Sequence, residues 1–159
     1  MNRIIATFLI ISLATSAFGQ KKKSAVRNKL KSMVVYEERV DKTPGKAVKD
    51  EEVKFDTQGN ISEEIEYENA RIKKHMKYEY DEDGNKTREI ELDPSGKTMK
   101  TTEFMYEDKK KVQEKEYSPA GKLLRTTEYK YDGDLKTEKI VYDGDKKIKS
   151  RKTYQYQLY

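Results

Sequence analysis

The chain has 159 residues, 34 of them Lys or Arg and 29 Asp or Glu, for a formal net charge of +5. It has no cysteine, which excludes disulfides and thiolate metal sites, and one histidine, which excludes a multi-histidine metal centre. Lys and Glu are interspersed throughout, so the basic balance reads as a solvated surface and not as a nucleic-acid interface.

The first element is a secretory signal over residues 1–19. Met1-Asn2-Arg3 forms a short basic start, Ile4 to Ala14 is mostly apolar, and Ala17 and Gly19 place small residues at −3 and −1 of a cleavage site. The apolar run is shorter than the roughly 20 residues of a spanning helix. The mature chain is expected to begin at Gln20 or Lys21 and to be periplasmic or secreted, not membrane-spanning after cleavage. Residues 20–31 follow as a basic, weakly apolar stretch, expected to be a flexible leader.

The repeat domain is expected over 32–159. It opens with an irregular hairpin, Met33 to Val40 and Val48 to Phe55 around Thr43-Pro44-Gly45, suited to capping an array. Beyond it, two interleaved series recur. Val53-Lys54-Phe55, Tyr78-Glu79-Tyr80, Phe104-Met105-Tyr106, Tyr129-Lys130-Tyr131 and Tyr154-Gln155-Tyr156 start about 25 residues apart. Between them lie Ile65-Glu66-Tyr67, Ile90-Glu91-Leu92, Lys115-Glu116-Tyr117 and Ile140-Val141-Tyr142, at the same period. Each tripeptide precedes a turn, such as Asp81-Glu82-Asp83-Gly84 or Ser118-Pro119-Ala120-Gly121. In these turns Asp or Ser opens through bonds to the backbone and Gly supplies positive φ. The runs between alternate with period two, the strand signature. The unit is therefore strand–turn–strand–turn.

These features predict an all-β fold: an antiparallel meander of tandem β-hairpins with ~25-residue repeats, forming an extended or single-layer sheet with little core. Five-residue turns with Gly at positive φ are expected after Phe55 and Tyr80. Shorter connections are expected after Tyr106 and Tyr131, where the spacing to the next series is one residue shorter, with a tighter two-residue turn at Asp132-Gly133.

Phe55-Asp56-x-x-Gly59-Asn60 and Tyr80-Asp81-x-x-Gly84-Asn85 resemble the Tyr-Asp core of the YD repeats of Rhs-type bacterial surface and toxin-shell proteins. The resemblance covers roughly 53–156 and weakens at Tyr106-Glu107-Asp108 and Tyr142-Asp143-Gly144. It implies the local fold and an extracytoplasmic setting. Four repeats are too few to enclose cargo.

No catalytic constellation, phosphate loop or calcium loop stands out. His75 lies on the charged side of its strand and reads as an exposed surface residue. No enzyme activity, cofactor or metal is expected. Tyr80, Tyr106, Tyr131 and Tyr156 are expected to form one row at one end of the sheet, and Tyr67, Leu92, Tyr117 and Tyr142 another at the opposite end. The first row is the candidate binding surface. The expected function is an exported, non-catalytic structural or protein-interaction scaffold of the bacterial envelope or exterior. The alternative is a carbohydrate-binding module that uses the tyrosines. The expected partner is an unknown envelope or extracellular protein, or a glycan, and not a nucleic acid.

Overall fold

The structure, a computed structural model, describes residues 21–22, 25–41 and 44–157. The signal segment lies outside the described residues. The described residues form β1 (Ser32–Glu38), β2 (Ala47–Phe55), β3 (Ile61–Glu68), β4 (Arg71–Tyr80), β5 (Lys86–Leu92), β6 (Thr98–Glu107), β7 (Lys110–Tyr117), β8 (Leu123–Asp132), β9 (Leu135–Asp143) and β10 (Ile148–Thr153). They make one sheet in the order β1 to β10, each strand antiparallel to its sequence neighbours. The predicted fold class is the observed one: an all-β meander of hairpins in one layer, with the first hairpin where the sequence places it.

Turn chemistry sets the connections. Five of them share one hydrogen-bond pattern. In Asp56–Asn60, Gly59 N–H donates to Asp56 O at 3.1 Å and Asp56 N–H to Asn60 O at 2.9 Å; the same pair recurs at 81–85, 93–97, 118–122 and 143–147. The opening side chain holds the loop from inside. Asp56 Oδ1 accepts from the N–H of Gln58 and Asn60 at 2.9 and 2.8 Å, and Asp93 and Asp143 act alike. The fourth position takes positive φ, 78° at Gly59 and 80° at Gly84, and Lys146 takes it at 62°. The two-residue connections are Asn69-Ala70 and Asp108-Lys109, with positive φ at both residues, and Gly133-Asp134, with φ 55° at Gly133. Both turn lengths thus fall where the residue spacing puts them.

A β-bulge accompanies the turns. The register shifts at Phe55, Tyr67, Tyr80, Leu92, Tyr106, Tyr117 and Tyr131, the closing aromatic or leucine of each strand from β2 to β8. The extra residue lies on the following strand, as Ser62 opposite Phe55 and Thr87 opposite Tyr80, and raises the local twist there.

The compact core is local. Val53, Phe55, Ile61, Met76 and Tyr78 are buried together on one face of β2–β4, with Val53 fully inaccessible and Ile61 2% exposed. Their cover comes from the stretch expected to be a flexible leader. Residues 25–28 form a helical turn, Ala25 enters the core, and Leu30 packs at its side. Lys21 ion-pairs with Glu51 and reaches Glu64 at 3.7 Å. The expectation of a leader rests on the basic, weakly apolar composition of this stretch. Two of its apolar residues, Ala25 and Leu30, fit an apolar patch that a one-layer sheet cannot cover by itself. A Cβ at Gly59 would run into Val26, so glycine there serves both the turn and this approach.

Candidate binding surface

Strand register decides which side chains share a face. Met76, Tyr78 and Tyr80 of β4 lie on the same face as Glu89 and Glu91 of β5, Thr102 and Phe104 of β6, Glu114 of β7, and Thr127 and Tyr129 of β8. This face carries a ladder of alternating cations and rings. Lys86 Nζ sits 5.0 Å from the Tyr78 ring centre and 5.1 Å from that of Phe104. Lys111 Nζ lies 5.1 Å from Phe104 and 5.4 Å from Tyr129. Lys136 Nζ lies 4.5 Å from Tyr129 and 6.0 Å from Tyr154. The three lysines are 25 residues apart, each opening an odd-numbered strand or lying one residue inside it. At the equivalent place in β3 stands Ile61, under the helical turn, so the ladder begins where the apolar core ends.

Carboxylates anchor the ladder. Lys86 pairs with Glu89 and Lys111 with Glu114, three residues along each strand. Tyr129 OH donates to Glu114 at 2.9 Å, and Tyr78 OH to Glu64 at 3.2 Å. Burial pushes the Glu114 carboxyl up, but the Lys111 and Tyr129 hydrogen bonds and the Lys139 charge outweigh it and hold it below the ordinary range. Glu64 is held low in the same way by Lys74, Lys21 and Tyr78 against its own burial. Burial, then nearby carboxylates, push Tyr78 up; burial, then the Glu114 bond, do so for Tyr129. Tyr80 is pushed up to about 12, by burial first and the Asp56 charge second.

The predicted tyrosines form the expected row. Tyr80 opposes Lys86, Tyr106 opposes Lys111, and Tyr131 opposes Lys136. Each later hydroxyl donates to the backbone carbonyl of the lysine before it: Tyr106 to Lys86 at 3.1 Å, Tyr131 to Lys111 at 2.9 Å, Tyr156 to Lys136 at 2.7 Å. Tyr80, Tyr106 and Tyr131 are half-buried, and Tyr156 is 49% exposed. From Tyr106 onward the row is therefore tied into the sheet through its hydroxyls.

No family model and no curated protein matches this chain.

The residues that sequence reading passes over are Lys86, Lys111 and Lys136. Each looks like a solvated strand position, yet the three recur with the same period as the rings, and that period is the available signal. On the opposite face, Tyr142 OH donates to Glu128 at 3.2 Å, and Leu92 and Ile140 are buried. His75 is also there, and it is not the exposed residue the sequence suggests. Its side chain is 12% exposed, set opposite Ile65 and Leu92 on the flanking strands, with Nε2 2.7 Å from Glu63 Oε1, which also pairs with Lys54 and Lys77. Among the described residues no helix is long and apolar enough to cross a membrane, and no group of three His, Asp or Glu is arranged to hold a metal.

Proposed function

We propose that the chain is an exported, non-catalytic scaffold of the bacterial envelope or exterior, a YD-repeat-like module that holds a protein partner across several repeats. The observation that supports it best is repetition: one arrangement of Lys, Glu and ring recurs along the ladder face. A catalytic centre concentrates unusual groups at one place, whereas these groups are spread evenly along an extended sheet. A shallow, extended contact with a protein suits such a surface.

The ladder also weighs against the carbohydrate reading. Sugar stacking needs an open ring face; lysine ammonium groups sit over the neighbouring Tyr78, Phe104 and Tyr129, and within the predicted row Lys136 lies 5.9 Å from the Tyr131 ring. Tyr156 is the most exposed ring of the row and is where a glycan would have to begin.

Photo-crosslinking in the native envelope tests the proposal. A crosslinker at Lys100, on the ladder face, should trap one defined protein, and one at Lys115, on the opposite face, should not. Equal capture from both positions, or glycan-array binding lost in Tyr156→Ala, argues against it. Intact-mass measurement of the exported protein tests export: the mature chain should begin at Gln20 or Lys21, and retention of residues 1–19 counts against the assignment.

A further inference from the structure

Among the described residues the sheet ends in two open edges, β1 and β10. We propose that these edges join, so that β1 of a second copy adds to β10 and continues the meander from molecule to molecule. The inference goes beyond the scaffold reading and stands without it.

Direction comes first. Odd and even strands run in opposite senses, so β1 placed beside β10 in the same sheet is antiparallel to it, like every internal neighbour.

Register comes next, read from an internal junction. At β8–β9, Tyr129, Thr127 and Thr126 oppose Lys139, Val141 and Tyr142. One 25-residue step carries the first three to Tyr154, Lys152 and Arg151. β1 aligns with β9 through the strand after each: Val34 opposes Glu52 and Glu138 opposes Thr153, where Glu52 and Thr153 each immediately precede the aromatic tripeptide. Val35, Glu37 and Glu38 then occupy the places of Lys139, Val141 and Tyr142. The transferred register sets Tyr154 opposite Val35, Lys152 opposite Glu37, and Arg151 opposite Glu38.

Charge agrees with that register. β1 carries two carboxylates and no cation, and β10 carries three cations and no carboxylate. Opposed ion pairs already mark the internal junctions of this type: Lys54 with Glu63 at 2.5 Å, Glu79 with Arg88 at 3.5 Å, Lys130 with Glu138 at 2.7 Å. Lys152 faces Lys139 across β9–β10, a like-charged pair beside which a carboxylate is favoured. Glu37 is held by Arg39 at 2.8 Å on the surface, an exposed pair that exchange costs little.

The same charges favour this pairing over the alternatives. Antiparallel β10 against β10 sets Lys149 opposite Lys152, and β1 against β1 gains no opposed ion pair, because its two carboxylates meet Met33 and Ser32. Only the unlike edges attract, which makes the contact head-to-tail and open-ended. The bulge at Lys149 is no obstacle. It recurs at Met99 and Leu124, in β6 and β8, and both of those strands pair normally on their other side.

Sedimentation of the purified protein over a concentration series at low salt tests the proposal. The average mass should rise past the dimer, and added salt should weaken the rise several-fold. Glu37→Lys and Lys152→Glu should each weaken association about tenfold. Mixing the two variants should restore it, since the reversed β1 charge of one then meets the reversed β10 charge of the other, again with opposite sign. Thr153→Pro removes an edge N–H that points away from β9, because Tyr154 N–H already bonds Thr137 O. It should abolish association with the circular dichroism unchanged. A monomer at every concentration, or association that Glu37→Lys and Lys152→Glu leave intact and mixing does not alter, overturns the proposal.

Discussion

Lys111 stands between two rings and beside a carboxylate, and each neighbour draws on its positive charge. Replacing it by Ala removes two cation–ring contacts and the Glu114 ion pair, and should destabilise the fold by about 1–2 kcal/mol in urea denaturation. Lys111→Arg should keep most of that stability, and Lys111→Met should not. Tyr129→Phe leaves the half-buried Glu114 without its hydroxyl donor and should cost about 1–2 kcal/mol. At Lys146 the expectation runs the other way. The residue takes φ 62° at the turn position that is Gly in the four sister loops. Lys146→Gly should therefore raise stability by about 0.5–1 kcal/mol, seen as a higher midpoint in urea with unchanged slope.

At the scale of strands and turns, most of the architecture was legible in the sequence. The double 25-residue series carries strand number, order and sense, because turn chemistry at each step is local and Asp-x-x-Gly closes its loop with its own atoms. The Tyr106, Tyr131 and Tyr156 row was legible for the same reason. The ladder lysines were not, because their role depends on two neighbouring strands at once: a lysine on a polar strand looks solvated until the flanking rings are placed. Ala25 was hidden differently. Nothing within residues 20–31 announces a docking site; only the apolar patch of Val53, Phe55 and Ile61 on β2 and β3 does. A modular element predicts a modular deletion. Removing residues 86–110 joins Asn85 to Lys111, its counterpart being Lys86, and should leave a folded eight-stranded sheet with a lower but still cooperative transition by circular dichroism. Loss of all strand signal would show that stability resides in more than neighbouring pairs.

The whole molecule should respond to both acid and base. Glu63, Glu64 and Glu114 have carboxyls held low in the folded state, so the unfolded chain takes up protons first on acidification. Their contribution is full above the ordinary glutamate range and is lost as pH falls below about 4. Tyr78, Tyr80 and Tyr129 are pushed up, so their contribution is full below about 10 and is lost as pH rises beyond it, when the unfolded chain ionises first. Urea midpoints across the pH range should form a plateau with a fall at each end, and tyrosinate absorbance should track the alkaline fall. A midpoint that does not move above pH 10 would show that the ring hydroxyls are not held protonated by the fold. The sequential order of the strands has a mechanical side too. Beyond the β2–β4 core that the helical turn covers, each described strand rests only on the ones before and after it in the chain, so a load on the β10 end peels the outermost strand first and meets its bonds one at a time. Such a sheet yields at low force, in steps of one hairpin, and re-forms quickly on release, because the ends of each lost contact remain a turn apart.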